Sequence, residues 1–341
     1  MPLDRNESYW MLDEELVELT RTVGGRELST YPDPQYHDLK KAIAQYAGVA
    51  PDQTFVTPGS ASAIEHITRL YANSTGVVAL PVPTFYGYET ILGYVGTQVL
   101  PITYEEHDGR FIFPLEKVVA TLKDGLVNVL FICQPNNPLG CSLSRGDISK
   151  IVEAAHNSKT MLVSDEAYFE FSSGTSFLPY LSTLPNLIVI RSLSKSFGLS
   201  GARVGWAMAT QDIVKKLDQI QVQWPIAHPS TSIACTLLSQ AKKIKFRRDI
   251  VIRAREQFAD KLSKLPNVKV YPSETNFILV RVLNALHVQN VLLEKGIRIA
   301  SGETMSRFSE AKNLLRDTLR IVVPAPESEA LFMDTFQNAM N

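Results

Sequence analysis

The sequence has few cysteines and no excess of either charge, and each absence excludes a class of protein. Its 341 residues include three cysteines, Cys133, Cys141 and Cys235, without a CxxC pair. Neither a disulfide framework nor a zinc site is therefore predicted, and the six scattered histidines indicate no other metal site. The 34 Lys and Arg residues are balanced by 35 Asp and Glu residues, for a formal charge of -1. With this balance, the sequence has no excess of basic residues that would attract nucleic acid or an anionic membrane.

Long apolar runs are also missing. The runs at 126–133 and 77–80 are far shorter than the roughly 18 residues that a membrane span needs. Residues 1–10 are too polar for a signal peptide. We therefore predict a soluble, cytoplasmic protein. Its 45% hydrophobic residues suffice for a large core and a second, smaller one.

The order of apolar runs predicts an α/β fold. From about residue 54, short β-rich runs alternate with helical stretches, which is typical of a mostly parallel sheet covered on both faces. After Pro225 the pattern changes to one or two long helices, followed by a short α+β segment. Predicted strands lie at 54–57, 76–81, 97–103, 127–133, 161–165, 187–191, 205–209, 268–271, 276–281, 297–300 and 318–322. We predict a large domain at 36–228 and a small domain formed by 1–35 and 229–341.

A lysine follows the predicted strand at 187–191. Lys195 lies in the segment Ser-Leu-Ser-Lys-Ser-Phe-Gly at 192–198, beyond the carboxyl end of a buried strand, where α/β sheets bind their ligands. A desolvated lysine there can lose its proton and form an imine with a carbonyl cofactor. Lys195 is therefore the candidate catalytic lysine.

The strand at 161–165 ends in Asp165, and Tyr168 follows three residues later. A buried carboxylate needs a cationic partner, and the protonated ring nitrogen of pyridoxal phosphate (PLP) would be one. We predict that Asp165 binds this nitrogen and that Tyr168 reaches the ring hydroxyl; both are candidate catalytic residues. The alternative is that Asp165 only caps the next helix.

Two further positions are candidates for contacts with the cofactor ring. Asn137 lies in a rigid turn, Gln-Pro-Asn-Asn-Pro-Leu-Gly at 134–140, which would hold its side chain near the ring hydroxyl and the substrate. Phe85 is the candidate for stacking on the ring, with Tyr86 as the alternative.

Small residues predict the phosphate site. Ser60 and Ala61 begin a helix after a short strand, where free N–H groups and the helix dipole favour an anion. The hydroxyls of Ser192 and Ser194 could contribute, and Arg203 could form a charge-assisted pair with the phosphate.

The order of these motifs resembles the fold-type I PLP-dependent aminotransferases, within the branch of histidinol-phosphate aminotransferase and threonine-phosphate decarboxylase. The resemblance covers nearly the whole chain, and 137–140, 165–168 and 192–203 are its most specific parts. It implies a mostly parallel seven-stranded sheet in the large domain and an internal aldimine on Lys195, which also shuttles protons. It further implies that Tyr31 reaches the cofactor phosphate of the other subunit in a homodimer.

The resemblance also concerns the substrate. Arg320 matches the arginine that grips the acidic group of the substrate in relatives, although a structural ion pair is the alternative. Ala300 stands where histidinol-phosphate aminotransferases usually have a second arginine, and Arg298 would point to the opposite face of its strand. The loop at 225–229 lacks the usual asparagine, so His228 is a candidate pocket residue for a different substrate.

These features predict an aminotransferase that acts on an amino acid or a phosphorylated amine. A donor and a keto acceptor would react in turn with ping-pong kinetics. The first alternative keeps the cofactor but breaks another bond, as a decarboxylase or lyase does. The second is a regulator that senses PLP, which any turnover would exclude.

Overall fold

The computed structural model describes residues 1–10 and 13–340, and its strands alternate with helices through the first two thirds of the chain. The strands are β1 (Thr54–Thr57), β2 (Val77–Val82), β3 (Gln98–Thr103), β4 (Glu105–His107), β5 (Arg110–Ile112), β6 (Val129–Cys133), β7 (Met161–Asp165), β8 (Leu187–Ser192), β9 (Gly205–Met208), β10 (Lys269–Val270), β11 (Phe277–Arg281), β12 (Ala300–Ser301) and β13 (Thr318–Val322). The helices are α1 (Asp13–Thr20), α2 (Gly25–Ser29), α3 (His37–Ala47), α4 (Ser60–Tyr71), α5 (Tyr86–Val95), α6 (Leu115–Asp124), α7 (Arg145–His156), α8 (Gln211–Ile220), α9 (His228–Leu238), α10 (Ala241–Ser263), α11 (Ala285–Glu294), α12 (Ser309–Leu314) and α13 (Pro326–Met340).

Seven strands form the main sheet in the order β1-β9-β8-β7-β6-β2-β3. The pairs from β8 to β3 are parallel, and β9 runs antiparallel to both of its neighbours. Alternate residues of β8 face opposite sides: Leu187 and Val189 enter one apolar cluster, and Ile188 and Ile190 enter the other. Both faces are buried, so the predicted mostly parallel seven-stranded sheet is confirmed.

A second sheet, entirely antiparallel, has the order β10-β11-β13-β12. The predicted strand at 297–300 is wrong in extent, because β12 contains only Ala300 and Ser301. Arg298 instead pairs with the start of the chain: its N–H donates to Met1 O (2.9 Å) and its carbonyl accepts from Leu3 N (2.7 Å). The two sheets lie within the predicted large and small domains, whose boundaries stay a prediction.

The sequence analysis did not predict the hairpin β4–β5. Its strands have three residues each and are mostly polar, so they lack an apolar pattern. Asp108 and Gly109 form its turn with φ of 47° and 74°, and this Asp-Gly pair was the available signal. The hairpin contacts the second sheet, because Glu106 accepts hydrogen bonds from Tyr271 (2.8 Å) and Arg281 (2.7 Å).

Within residues 1–10 and 13–340, no helix is long and apolar enough to cross a membrane.

Candidate active site

Three neighbouring parallel strands bring the predicted motifs together. In the β6–β7–β8 register, Cys133 lies beside Asp165, and Asp165 lies beside Ile190. The chain continues from β6 to Asn137 and from β8 to Lys195. Residues far apart in sequence therefore meet at one edge of the sheet, as expected for carboxyl ends of parallel strands.

Two adjacent cavities lie at this edge. The first, of ≈ 300 Å³, is lined by Asn6, Asn137, Tyr168, Lys195 and Arg320 among others. The second, of ≈ 390 Å³, is lined by Ser60, Ala61, Ser194, Lys195 and Arg203 among others. Lys195, Phe85 and Arg5 line both cavities, so the two form one continuous candidate site.

Lys195 stands where the two cavities join. Its Nζ donates to the carbonyl of Arg5 (3.0 Å) and lies 5.8 Å from the centroid of the Tyr168 ring. Burial, followed by the charge of Arg320, lowers the pKa of Lys195 to about 8. This pKa is closer to neutral pH than the pKa of an exposed lysine. The uncharged amine, which imine formation requires, therefore costs less free energy to form.

Asp165 is buried and lines neither cavity, but it lies close enough to Lys195 for their charges to interact. Its carboxylate accepts hydrogen bonds from Tyr88 Oη (2.9 Å) and Ala167 N (3.2 Å). Burial nevertheless raises the pKa of Asp165 to about 6. A buried carboxyl with this pKa lacks a full cationic partner, and the protonated ring nitrogen of PLP has the matching chemistry.

An amide network holds the Tyr168 hydroxyl. It accepts hydrogen bonds from Asn6 Nδ2 (2.8 Å) and Asn137 Nδ2 (3.4 Å). The Oδ1 of Asn137 accepts in turn from Arg320 Nη1 (2.6 Å), and Arg320 Nη2 donates to the Asp4 carbonyl. Arg320 Nε is buried without a partner in the described residues. The protein network therefore leaves one donor of Arg320 unused, and Arg320 is one of the residues that line the first cavity.

The second cavity has the features of a phosphate cradle. Arg203 donates from Nη1 to Ser194 Oγ (3.4 Å), and Ser192 Oγ bonds Ser194 Oγ (2.9 Å). A side chain at Gly59 would meet Arg203 Nη2 at 2.4 Å, and Gly59 has φ +86°. One at Gly205 would meet the Ser60 nitrogen at 2.6 Å. Glycine at position 59 therefore lets Arg203 lie close to the start of α4. Glycine at position 205 lets the backbone of β9 lie close to the same helix start.

The remaining candidates divide into two groups. Phe85 is half-buried and lines both cavities, whereas Tyr86 is 39% exposed and lines only the first. The structure does not bring Tyr31 or His228 to either cavity of this chain. Tyr31 is 74% exposed and stacks on Trp224, and His228 Nδ1 lies 3.3 Å from Thr30 Oγ1. Their roles stay predictions.

Tyr88, Asn6 and Arg5 are in the site but were not assigned roles from the sequence. Tyr88 lies on the first turn of α5, and its contact with Asp165 spans 77 residues. Asn6 and Arg5 come from the start of the chain. Nothing local in the sequence marks such contacts.

A larger groove, of ≈ 580 Å³, contains none of the predicted site residues. It is lined by Tyr46, Phe169 and Arg191 among others. Arg191 is already paired with Glu166 (2.9 Å) and stacks on the Phe169 ring. In addition, none of the described residues form a group of three or more acidic, His or Cys side chains that could hold a metal.

Comparison with known proteins agrees with this geometry. A family model described as aminotransferase class I and II matches residues 1–331. The histidinol-phosphate aminotransferase of Thermoanaerobacter pseudethanolicus is 37% identical over 327 residues, which are 96% of this chain and 89% of the relative. The crystal structure of the histidinol-phosphate aminotransferase from Clostridium acetobutylicum has a TM-score of 0.89 at 21% identity and covers 100% of this chain and 99% of its own. That of the Sinorhizobium meliloti enzyme in complex with PLP has a TM-score of 0.85 at 24% identity, with coverage of 99% and 89%.

The fold is that of a PLP-dependent enzyme of fold type I. The chain belongs to the class I and II aminotransferases. The predictions of fold, PLP cofactor and aminotransferase activity are thereby confirmed.

Proposed function

We propose that this aminotransferase takes the amino group of an amino acid or a phosphorylated amine and passes it to a keto acid, with Lys195 as the base. The observation that carries the proposal is the first cavity. It places the Lys195 amine, the Tyr168–Asn137 network and the unpartnered Nε of Arg320 around one space. A molecule with an amino group at one end and an anion at the other fits these groups.

Lys195 moves the proton. With a pKa of about 8, its freed Nζ is a suitable base near neutral pH to remove a proton from the donor carbon next to the amine. The same atom can return that proton to a neighbouring carbon, because it stands at the junction of both cavities.

Four side chains would hold the cofactor ring beside Lys195, and five further residues would hold its phosphate. When bound, PLP supplies an electrophilic carbonyl and an electron sink. Asp165 would hold the ring nitrogen, and Tyr168 and Asn137 the ring oxygen. Phe85 would stack on the ring. The phosphate would bind at the start of α4, at Ser60 and Ala61, with Ser192, Ser194 and Arg203.

Arg320 would hold the anionic group of the donor. Ala300 lines the same cavity and lies directly opposite Arg320 in the sheet, so the cation at this face comes from Arg320. Histidinol phosphate is the donor to test first, because the relative that is 37% identical is a histidinol-phosphate aminotransferase. Amino acids with a carboxylate for Arg320 are the second group.

We further propose a cytoplasmic homodimer in which Tyr31 contributes to the cofactor site of the other subunit. The exposed Tyr31 ring, and the apolar side chains of Leu28 and Val222, which are 75% and 73% exposed, support an interface on this face.

A single-turnover experiment tests the function. PLP-loaded protein is mixed with histidinol phosphate or an amino acid, without a keto acid, and the visible absorbance of the cofactor is followed. We expect conversion to the amine form of the cofactor with one donor of the panel. Released carbon dioxide or ammonia without this conversion would support the decarboxylase or lyase instead.

Replacement of the lysine tests its role. Lys195→Ala should abolish the visible absorbance of the linked cofactor and reduce turnover at least about a thousandfold, since base and linkage are both lost. Lys216→Ala, on an exposed position of α8, is the control and should leave both unchanged. Retention of the absorbance band and turnover in Lys195→Ala would contradict the proposal.

A further inference from the structure

The start of the chain reaches into the active site. Three consecutive residues each contact a different candidate site residue: the Asp4 carbonyl accepts from Arg320, the Arg5 carbonyl accepts from Lys195, and Asn6 Nδ2 donates to Tyr168. Of these contacts, the one made by Asn6 is the only one that its segment makes through a side chain, so a substitution that tolerates the left-handed backbone, as Asn6→Asp does, can change the contact without moving the chain.

Asn6 is held firmly in place. It is 1% exposed and has a left-handed φ of 55°, which asparagine tolerates better than most residues. Asn276 Nδ2 donates to its carbonyl (3.2 Å), and Val322 N donates to the carbonyl of Leu3 (3.3 Å). Its Oδ1 is buried without a partner in the described residues, and Asn6 is one of the residues that line the first cavity.

The hydrogen bonds of Tyr168 fix the direction of its proton. Because Arg320 has only donors, Asn137 must turn its Oδ1 to Arg320 and its Nδ2 to Tyr168. Asn6 Nδ2 provides the second donor. A phenol has two acceptor positions and one proton, and both positions are then occupied. Within 1–10 and 13–340 the hydroxyl donates to no protein atom, so its proton points into the cavity.

We propose that Asn6 is a positioning residue that orients the Tyr168 hydroxyl so that it donates to the bound cofactor. This inference rests on the proposed function, in which Lys195 carries PLP and Tyr168 faces its ring oxygen.

The expected readout is the pH titration of the visible absorbance of the PLP-loaded protein. A hydrogen bond donated to the ring oxygen favours the deprotonated form of the lysine–cofactor linkage and so lowers its pKa. The charged groups around Lys195 are Arg320, Glu7, Arg203 and Asp165. Arg320 and Asp165 also act on Tyr168, together with the Cys133 thiol, and none of these groups changes in the variants below.

Two variants test the direction of the hydrogen bond. Asn6→Leu, of similar size, removes the donor and should raise the pKa of the bound cofactor by about 0.5–1 unit, the size of one neutral hydrogen bond. Asn6→Asp provides a carboxylate that takes the proton of Tyr168 and should raise this pKa further. A fall in Asn6→Leu would mean that Asn6 accepts from Tyr168, and no change would mean that it does not position the hydroxyl. Either result overturns the inference. If Asn6→Leu does not bind PLP, the cofactor pKa of Asn6→Asp decides the question: a rise supports the inference, and no rise overturns it.

A Tyr168→Phe background tests whether Asn6 acts through Tyr168. There, Asn6→Leu should shift the cofactor pKa by less than about 0.2 unit, because the coupled hydroxyl is absent. A full shift in this background overturns the inference. Asn186→Leu is the control: Asn186 Nδ2 donates to Thr160 O (2.7 Å), so its loss should lower the melting temperature without moving the cofactor pKa.

Failure of this inference is distinguishable from failure of the proposed function. If Lys195→Ala keeps the visible absorbance band, the proposed function fails. If that variant loses the band and the Asn6 variants titrate as the wild type does, only the role of Asn6 is wrong.

Discussion

At the scale of single residues, the site is a set of buried polar groups whose partners are incomplete. Arg320 Nε, Asn6 Oδ1 and the carboxyl of Asp165 all lack a full partner within the described residues. Buried polar groups are normally paired. Their concentration at one edge of the sheet therefore marks the place where cofactor and substrate complete the hydrogen bonds.

Arg320→Lys should weaken binding of the amino donor without loss of the cofactor. Lysine keeps the charge but cannot donate to Asn137, the Asp4 carbonyl and the substrate together. We expect the KM of the donor to rise about 10- to 100-fold, the effect of one or two charge-assisted hydrogen bonds. Arg298→Lys is the matched control, because Arg298 is half-exposed and lies 3.7 Å from Asp4. Equal effects of the two variants in steady-state kinetics would show that Arg320 does not bind the donor.

Asp165→Asn should stabilise the cofactor-free protein at neutral pH. Burial raises the pKa of Asp165 from 3.8 to about 6. The protonated carboxyl therefore contributes to the free energy of unfolding. This contribution is fully present below pH 3.8 and is lost as the pH rises through about 6. Asparagine does not titrate, so the variant should gain about 1–3 kcal/mol relative to wild type between pH 4 and 7. Urea unfolding at both pH values measures this gain, and parallel pH profiles would contradict it.

In the PLP-loaded form, by contrast, Asp165→Asn should impair the protein, because its activity should fall. Asparagine cannot compensate the positive ring nitrogen, so kcat should fall at least about a hundredfold while cofactor remains bound.

At the scale of elements, the start of α4 and the strand β9 form the predicted phosphate cradle by close backbone approach. Gly59→Ala would place a carbon 2.4 Å from Arg203 Nη2 at a φ of +86°. We expect the dissociation constant of PLP to rise at least about tenfold, because Arg203 must move. Equilibrium titration of the cofactor-free protein measures this constant.

Gly125→Ala is the matched control for this element. Gly125 also has a positive φ (+62°), but nothing lies within 4 Å of a carbon added there. Gly125→Ala should cost about 1–2 kcal/mol of stability, because Gly125 lies in the left-handed helical region (φ 62°, ψ 19°). Gly59→Ala should cost more, because φ 86° and ψ 163° are open almost only to glycine. Only Gly59→Ala should weaken PLP binding. If both weaken it alike, backbone strain and not the contact with Arg203 is responsible.

At the scale of the whole molecule, the predicted homodimer can be tested by subunit mixing. Tyr31→Ala and Lys195→Ala chains are each expected to be defective alone. If Tyr31 serves the cofactor site of the other subunit, a mixed dimer contains one intact site. Denaturing and refolding the two variants together should then restore activity to about a quarter of the wild-type sites. Activity no greater than the sum of the separate variants would show that Tyr31 acts within its own subunit or not at all.

The sequence alone predicted the main sheet, which the structure confirms, and the residues that we propose as cofactor contacts, because both predictions depend on local patterns. Buried parallel strands such as β6 and β7 are continuous, mostly apolar runs. Asp165 ends β7, Asn137 and Lys195 follow β6 and β8 within four residues, and Ser60 begins α4. The same local rule gives Lys195, Asp165, Asn137 and Ser60 without knowledge of their distances.

Only the tertiary structure decided which residues complete the site. Tyr88 meets Asp165 and Asn6 meets Tyr168 across 77 and 162 residues, and no periodicity or spacing encodes such contacts. The shortening of β12 has the same origin, because residues 1–3 pair with Arg298. The sequence therefore predicted the residues that we propose for the chemistry, whereas contacts of the start of the chain with Arg320, Lys195 and Tyr168 are decided by tertiary packing.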